Sequence, residues 1–190
     1  MTLTETTETI ARRYSCRAFG DRPVPDDVLK AILLAGLHAP SAVNRQPWRL
    51  VVVRDKALID QIDVIGVETL KTADPAGYER TMGRGGLMLY NTPVLVLIAA
   101  EEDDNKYVDL DCGIVTATMA LAATSLGVDS CIAAMPRNSF TGEAGAALAA
   151  QAGIPAGFRF ALSLMLGYAS GEPRPGHDID PSKVIGLDVG

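Results

Sequence analysis

Apolar positions recur at helical spacing in several stretches of the chain and run continuously in others. Val28, Leu29, Ile32 and Leu33 fall on one face of the segment VPDDVLKAILLAGLHA, which predicts a helix opened near Pro25 and ended by Pro40. A short helix is expected from about Thr6 to Arg13, with Glu5 and Glu8 near the positive end of its dipole. A longer one is expected from Lys56 to about Thr72, although Val64, Ile65 and Val67 pay side-chain entropy there. Leu50–Val53 and the run VLVLIAA after Pro93 read as strands, the second with no alternation and hence buried on both faces. LDCGIVTATMALAATS, residues 110–125, is rich in small side chains that permit close helix approach. Gly127–Ala134 reads as a turn into a short strand, Glu143–Ala152 as an Ala-rich helix ending at Gly153, and Phe158–Gly167 as a strand. Ala73–Gly86, with one Pro and four Gly, reads as a loop. The tail from about residue 168 is Gly, Pro and charge, and is expected to wrap over the surface or a partner.

Helical and extended patterns interleave with no internal repeat and no break in composition. That predicts a single α+β domain over residues 1–190 around a central sheet of a few strands. A chain of 190 residues can bury a sizeable core, and 48% apolar with only 5% aromatic residues makes that core mainly aliphatic.

Charge and rare residues narrow the function classes. The net charge is −6, and no long Lys/Arg run offers a nucleic-acid groove. Three widely spaced cysteines argue against a disulfide scaffold or a CxxC zinc site. The start, MTLTETTETI, lacks the basic and apolar regions of a secretory signal, and Pro93–Ala100 is too short to cross a bilayer. A soluble cytoplasmic protein is the expectation.

Two stretches carry candidate chemistry. In RRYSCRAF, the alternation of Arg13, Ser15 and Arg17 puts two guanidinium forks and a hydroxyl on one side of an extended segment. This is either a phosphate cradle or a solvated charged patch. Cys16 falls on the other face and reads as a small hydrophobe. In APSAVNRQPW, Ser41, Asn44, Arg45 and Gln46 offer donors and acceptors that match the edge of a heterocycle, or else serve a turn that caps its own backbone. Trp48 reads as core. Asp111 reads as opening the small-residue helix, and Glu101–Asp104 as a solvated loop. There is no GxGxxG and no GxxxxGK[ST]; the cluster GRGG at 83–86 has no strand–loop–helix context. No acid, base, nucleophile or metal set emerges, so an enzyme with this inventory would leave the chemistry to a cofactor.

Taken together, Arg13-Tyr14-Ser15-Cys16-Arg17-Ala18-Phe19 and Ala39-Pro40-Ser41-Ala42-Val43-Asn44-Arg45-Gln46-Pro47-Trp48 resemble the FMN-dependent nitroreductase family. Asp111-Cys112-Gly113, the stretch 125–131 and Leu166-Gly167-Tyr168 extend the resemblance along most of the chain. It implies an α+β fold with a mostly antiparallel sheet flanked by helices, and a homodimer with FMN at the interface. By resemblance, Arg13, Tyr14, Ser15 and Arg17 hold the FMN phosphate and ribityl chain. Pro40, Ser41, Ala42, Asn44 and Gln46 approach the same FMN from the other subunit, and Ile132, Ala133 and Ala134 line its ring. Arg174 stands near the place of a basic phosphate ligand but off its register; Lys71 and Arg84 are candidates for the flavin O2 and N3 region. The implied reaction is ping-pong hydride transfer from NADH or NADPH to a nitroaromatic, quinone or related small acceptor. The alternatives are a flavin-handling protein without efficient nicotinamide turnover, or a specialised member with another reductive reaction. No nucleic acid or membrane partner is implied.

Overall fold

The strand Val94–Glu101 lies at the centre of the molecule, and every residue from Val94 to Ala100 is at most 1% exposed. The computed structural model describes residues 4–172, 176 and 178–187. The α-helices and strands are α1 (Glu5–Arg12), α2 (Asp26–Leu37), β1 (Trp48–Val53), α3 (Lys56–Ala73), α4 (Pro75–Met82), β2 (Val94–Glu101), α5 (Val108–Ser125), β3 (Asp129–Ala133), α6 (Gly142–Ala152) and β4 (Phe158–Gly167). The sheet runs β1-β2-β4-β3, and all three pairings are antiparallel.

Burial on both faces explains why β2 lacks polar alternation. Val94, Val96, Ile98 and Ala100 share one core with Ile32 of α2 and Val115 and Met119 of α5. Leu95, Leu97 and Ala99 share the other with Ile59 and Ile62 of α3 and Leu148 of α6. Helices therefore cover both sides of the sheet. Gly36 lets α2 approach α5: a Cβ there would stand 2.5 Å from Met119 Cγ. The β-branched residues of α3 do not stop it, because its buried face supplies the stability that propensity lacks.

The segment expected as a loop at 73–86 instead contains α4. Asp74 accepts from the Gly77 backbone N–H at 2.9 Å and Pro75 takes the first helical position, so the punctuating residues start a helix. The glycines that follow, Gly85 and Gly86, have positive φ and end it.

Helix α5 is long and apolar enough by composition to cross a membrane, yet Cys112, Val115, Met119, Ala120 and Ala123 pack on the sheet side. Leu110, Gly113, Ile114 and Ala117 lie on the opposite face, with Leu110 62% and Ile114 41% exposed. The start of the tail is tied to its own chain. Ala169 bridges Phe19, the Ser170 N–H reaches the Ala18 carbonyl at 3.0 Å, and Gly176 lies close against the backbone of Ala11.

Candidate functional site

Helix α1 stops at Arg12 because Arg13 turns extended, and the chain then runs beside the outer edge of β3. Ser15 forms a parallel bridge with Ser130, and the Cys16 N–H donates to the Ser130 carbonyl at 2.9 Å. This fixes the alternation read from the sequence. Cys16 and the ring of Tyr14 join the core, so Arg13, Ser15 and Arg17 are left to the other side. Burial pushes the Cys131 thiol up, while Arg17, the Ser15 hydroxyl and Arg13 act in the opposite direction. Burial, followed by the neighbouring Asp129, holds the Tyr14 phenol well above its ordinary range. Arg17 makes no ion pair among the described residues. The buried Ser130 Oγ, next to this cradle, has no hydrogen-bond partner there. Guanidinium and hydroxyl donors beside an orphaned hydroxyl suit an anionic, oxygen-rich ligand.

Ile132, Ala133 and Ala134 continue from Cys131 and are half-buried. Their backbone is held in place: Ser163 Oγ donates to the Ala133 carbonyl at 3.0 Å and Arg137 Nε to that of Ala134 at 3.2 Å.

The second candidate stretch leaves α2 at His38 and reaches β1 through a tight turn. Val43, Asn44 and Gln46 all have positive φ, at 49°, 57° and 51°. None is glycine, and the left-handed region costs an L-residue roughly 1–2 kcal/mol. Bonds offset that cost. The Gln46 N–H donates to Ser41 Oγ at 2.9 Å, and Arg45 pairs with Glu101 at 3.1 Å and also with Asp103. The Ala42 N–H donates to both oxygens of Asp111, at 3.1 and 3.3 Å. Gln46 Nε2 donates to Asn44 Oδ1 at 2.9 Å, which leaves the Asn44 amide N–H groups and the Gln46 carbonyl facing outward in an exposed pair. Gln46 also borders a cavity of about 400 Å³ with Leu33, Leu37 and Trp48. Trp48 itself is core, 3% exposed.

One chain does not bring the two stretches together. Trp48, where the loop enters the sheet, opposes Ala100 on β1's neighbour, whereas Ser130 opposes Leu166 and through it Val94. β1 and β3 are opposite edges, roughly 14 Å apart across three strand spacings, and Ala100 and Val94 are separated by roughly 20 Å along β2. The Arg13–Arg17 strap and the Pro40–Gln46 loop therefore stand at diagonal corners of the sheet. Arg174 lies outside the described residues. Lys71 stands 6.0 Å from the Tyr78 ring and Arg84 is exposed beyond α4; neither adjoins the strap by any bond among the described residues.

Two acidic residues do more than their sequence context suggests. Asp111, read as a helix opener, is buried and grips the loop at Ala42. Asp63, inside α3, is buried and accepts from the Met88 and Leu89 N–H groups at 2.7 and 3.1 Å. A carboxylate at a core position of an apolar helix is the signal that marks both. Glu101 and Asp103 likewise pair with Arg45, although their run reads as a solvated loop. A cavity of about 710 Å³ between α6 and the first half of β4, lined by Arg137, Phe140, Arg159 and Phe160, touches none of the sequence-derived candidates.

The model of the nitroreductase family matches residues 10–168. A protein of Archaeoglobus fulgidus that carries the provisional name NADH dehydrogenase/NAD(P)H nitroreductase is 33% identical over 168 residues, which cover 86% of this chain and 84% of that protein. The crystal structure of a nitroreductase with bound FMN from Desulfitobacterium hafniense superposes with a TM-score of 0.93 at 34% identity, over 98% of this chain and 100% of the other. A nitroreductase with bound FMN from Bacteroides fragilis gives 0.87 at 25% identity, over 97% and 100%.

Proposed function

The chain belongs to the nitroreductase family, and from that premise we propose that it is an FMN-dependent oxidoreductase working as a homodimer. The observation that carries the reading is the strap laid along β3: the Ser15–Ser130 bridge and the Cys16 N–H on the Ser130 carbonyl set Arg13, Ser15 and Arg17 in alternation, beside the orphaned hydroxyl of Ser130. The donor set fits a phosphate and a polyhydroxyl chain. Arg13, Ser15 and Arg17 hold the phosphate end, and the Tyr14 backbone and the half-buried Ile132–Ala134 stretch support the rest. Pro40, Ser41, Ala42, Asn44 and Gln46 come from a second copy, because their own copy keeps them at the far corner of the sheet. The exposed face of α5 with Leu110, Gly113, Ile114 and Ala117 supports that second copy, since small apolar positions allow close helix approach. The cytoplasm is the proposed location.

When bound, FMN supplies the two-electron carrier through which NADH or NADPH reduces a nitroaromatic, quinone or related small acceptor. What the chain contributes is placement. The strap neutralises phosphate charge, the braced loop presents Asn44 and Gln46 to a polar ring edge, and reactants held in contact gain most of the rate. No side chain is required as general base, in keeping with a site built from guanidinium, hydroxyl and amide groups.

The visible spectrum of the purified protein tests this. A yellow protein bleached by NADH or NADPH and recoloured by a quinone supports the proposal. A yellow protein inert to both nicotinamides overturns the enzymatic part, and a colourless protein that refuses added FMN overturns the whole.

A further inference from the structure

Ala42 has the one backbone N–H between Ser41 and Gln46 that, among the described residues, is bound by a group from another element. That group is the carboxylate of Asp111, 69 positions later and 4% exposed. It lies in the first turn of α5, where the helix dipole favours negative charge. Apart from its exit, where the Glu101 N–H reaches the carbonyl of buried Pro47 at 2.9 Å, what else holds the loop is internal to it or exposed. Ser41 Oγ straps Gln46, Ser41 and Ala42 carbonyls accept from Asn44 and Arg45, and Arg45 pairs with partly exposed Glu101 and Asp103. Exposed pairs of this kind hold little. The left-handed turns at Val43, Asn44 and Gln46 follow directly after the bound amide. A loop of that shape without glycine relaxes unless something fixes its entry.

We propose that Asp111 is the positioning residue of the half-site that the loop carries: by holding the Ala42 N–H it sets the direction in which Asn44 and Gln46 meet the flavin of the second copy. The inference rests on the FMN reading above and adds a residue that touches no ligand. It also ties that half-site to α5, the helix whose opposite face bears Leu110 and Ile114. The same helix then both braces the loop and meets the second copy.

The test compares the holoprotein with Asp111→Ala, Asp111→Asn and, as a control for core damage, Val115→Ala one turn further along α5. Hydrogen exchange over residues 40–47 reads the loop, and titration with FMN together with the flavin circular-dichroism band reads the site. Asp111→Ala is expected to speed exchange in the loop, to weaken FMN retention roughly tenfold or more, and to alter the dichroic band. Asn keeps one acceptor oxygen and should restore retention to within about threefold of wild type. Val115→Ala should lower thermal stability while leaving loop exchange and the flavin band unchanged. Fast loop exchange with unaltered FMN retention and band in Asp111→Ala overturns the proposal, as does equal loss of retention in Asp111→Ala and Val115→Ala. Should Asp111→Ala not fold, loop exchange decides: Asp111→Asn, which keeps one of the two acceptor oxygens, should exchange faster than Val115→Ala, and equal exchange overturns the proposal. A wild-type protein that takes up no FMN overturns the functional reading instead, and unaltered loop exchange in Asp111→Asn and Asp111→Ala would then overturn the bracing role by itself.

Discussion

The Cys16 backbone N–H closes on the Ser130 carbonyl at 2.9 Å, so the segment after α1 lies against β3 as a short parallel neighbour. Its side chains inherit the strand's alternation, and a charged run that could have been a solvated patch becomes a row of donors with one orientation.

Arg17 is the most exposed test of that row. Replacing it with Ala should weaken FMN retention roughly tenfold or more, the usual cost of losing a hydrogen bond to a charged group. Titration of the apoprotein with FMN measures it. Unchanged affinity would remove Arg17 from the phosphate site.

The diagonal separation of strap and loop predicts complementation between two defective variants. Arg17→Ala and Asn44→Ala homodimers should each be impaired. After subunits are exchanged, half the dimers are mixed, and each mixed dimer carries one site built from Arg17 of one copy and Asn44 of the other. About a quarter of the sites should be restored. No recovery on mixing, with exchange verified by mass-tagged subunits, would mean that each site draws on one chain.

The proposed function, with one flavin face serving donor and acceptor in turn, predicts ping-pong kinetics, with inhibition at high acceptor concentration. Initial rates over a grid of NADH or NADPH and a quinone should give parallel double-reciprocal lines. Rates between about pH 6 and 8 should change little, since the proposed mechanism asks for no side chain as acid or base. Intersecting lines would require a second binding region.

Asp63 gives a pH signature of stability rather than activity. Burial raises its pKa against the pull of the Met88 and Leu89 N–H groups. The folded state thus holds the proton more tightly than the unfolded one, whose carboxyl titrates near about 4. Its contribution is full below that value and is lost as pH rises through the folded pKa. The unfolding free energy of wild type minus Asp63→Asn should therefore fall with rising pH above about 4 and then level. Urea titrations across that range measure it; a difference that stays flat or rises would contradict the burial argument.

The sequence pattern reveals α2, β2 and β4 because each buries a face whose periodicity or continuity is local information, and it reveals α5 through its run of small residues. It hides α4, since Asp74, Pro75 and Gly77 read as turn residues when their partners are not known. The candidate site is legible as two stretches, through the alternation at Arg13–Arg17 and the polar side chains of Ser41, Asn44 and Gln46. Their placement at opposite corners follows from strand order, which no single stretch encodes. Asp111 escapes for the same reason: its target, Ala42, lies on a loop far upstream, and nothing beside Asp111 in the chain points to it.

Strand order also bears on synthesis. β2 acquires β1 as a neighbour as soon as it leaves the ribosome, but its other neighbour, β4, begins at Phe158, 57 residues after β2 ends at Glu101. At ordinary translation speeds the most apolar strand of the protein carries an open edge for roughly 3 to 11 s. Chaperone demand and soluble yield should then depend on that interval, when α5 and α6 can cover the faces of VLVLIAAE but not the edge that waits for β4. Substitutions that loosen those helices should reduce how much protein accumulates before they change what it does.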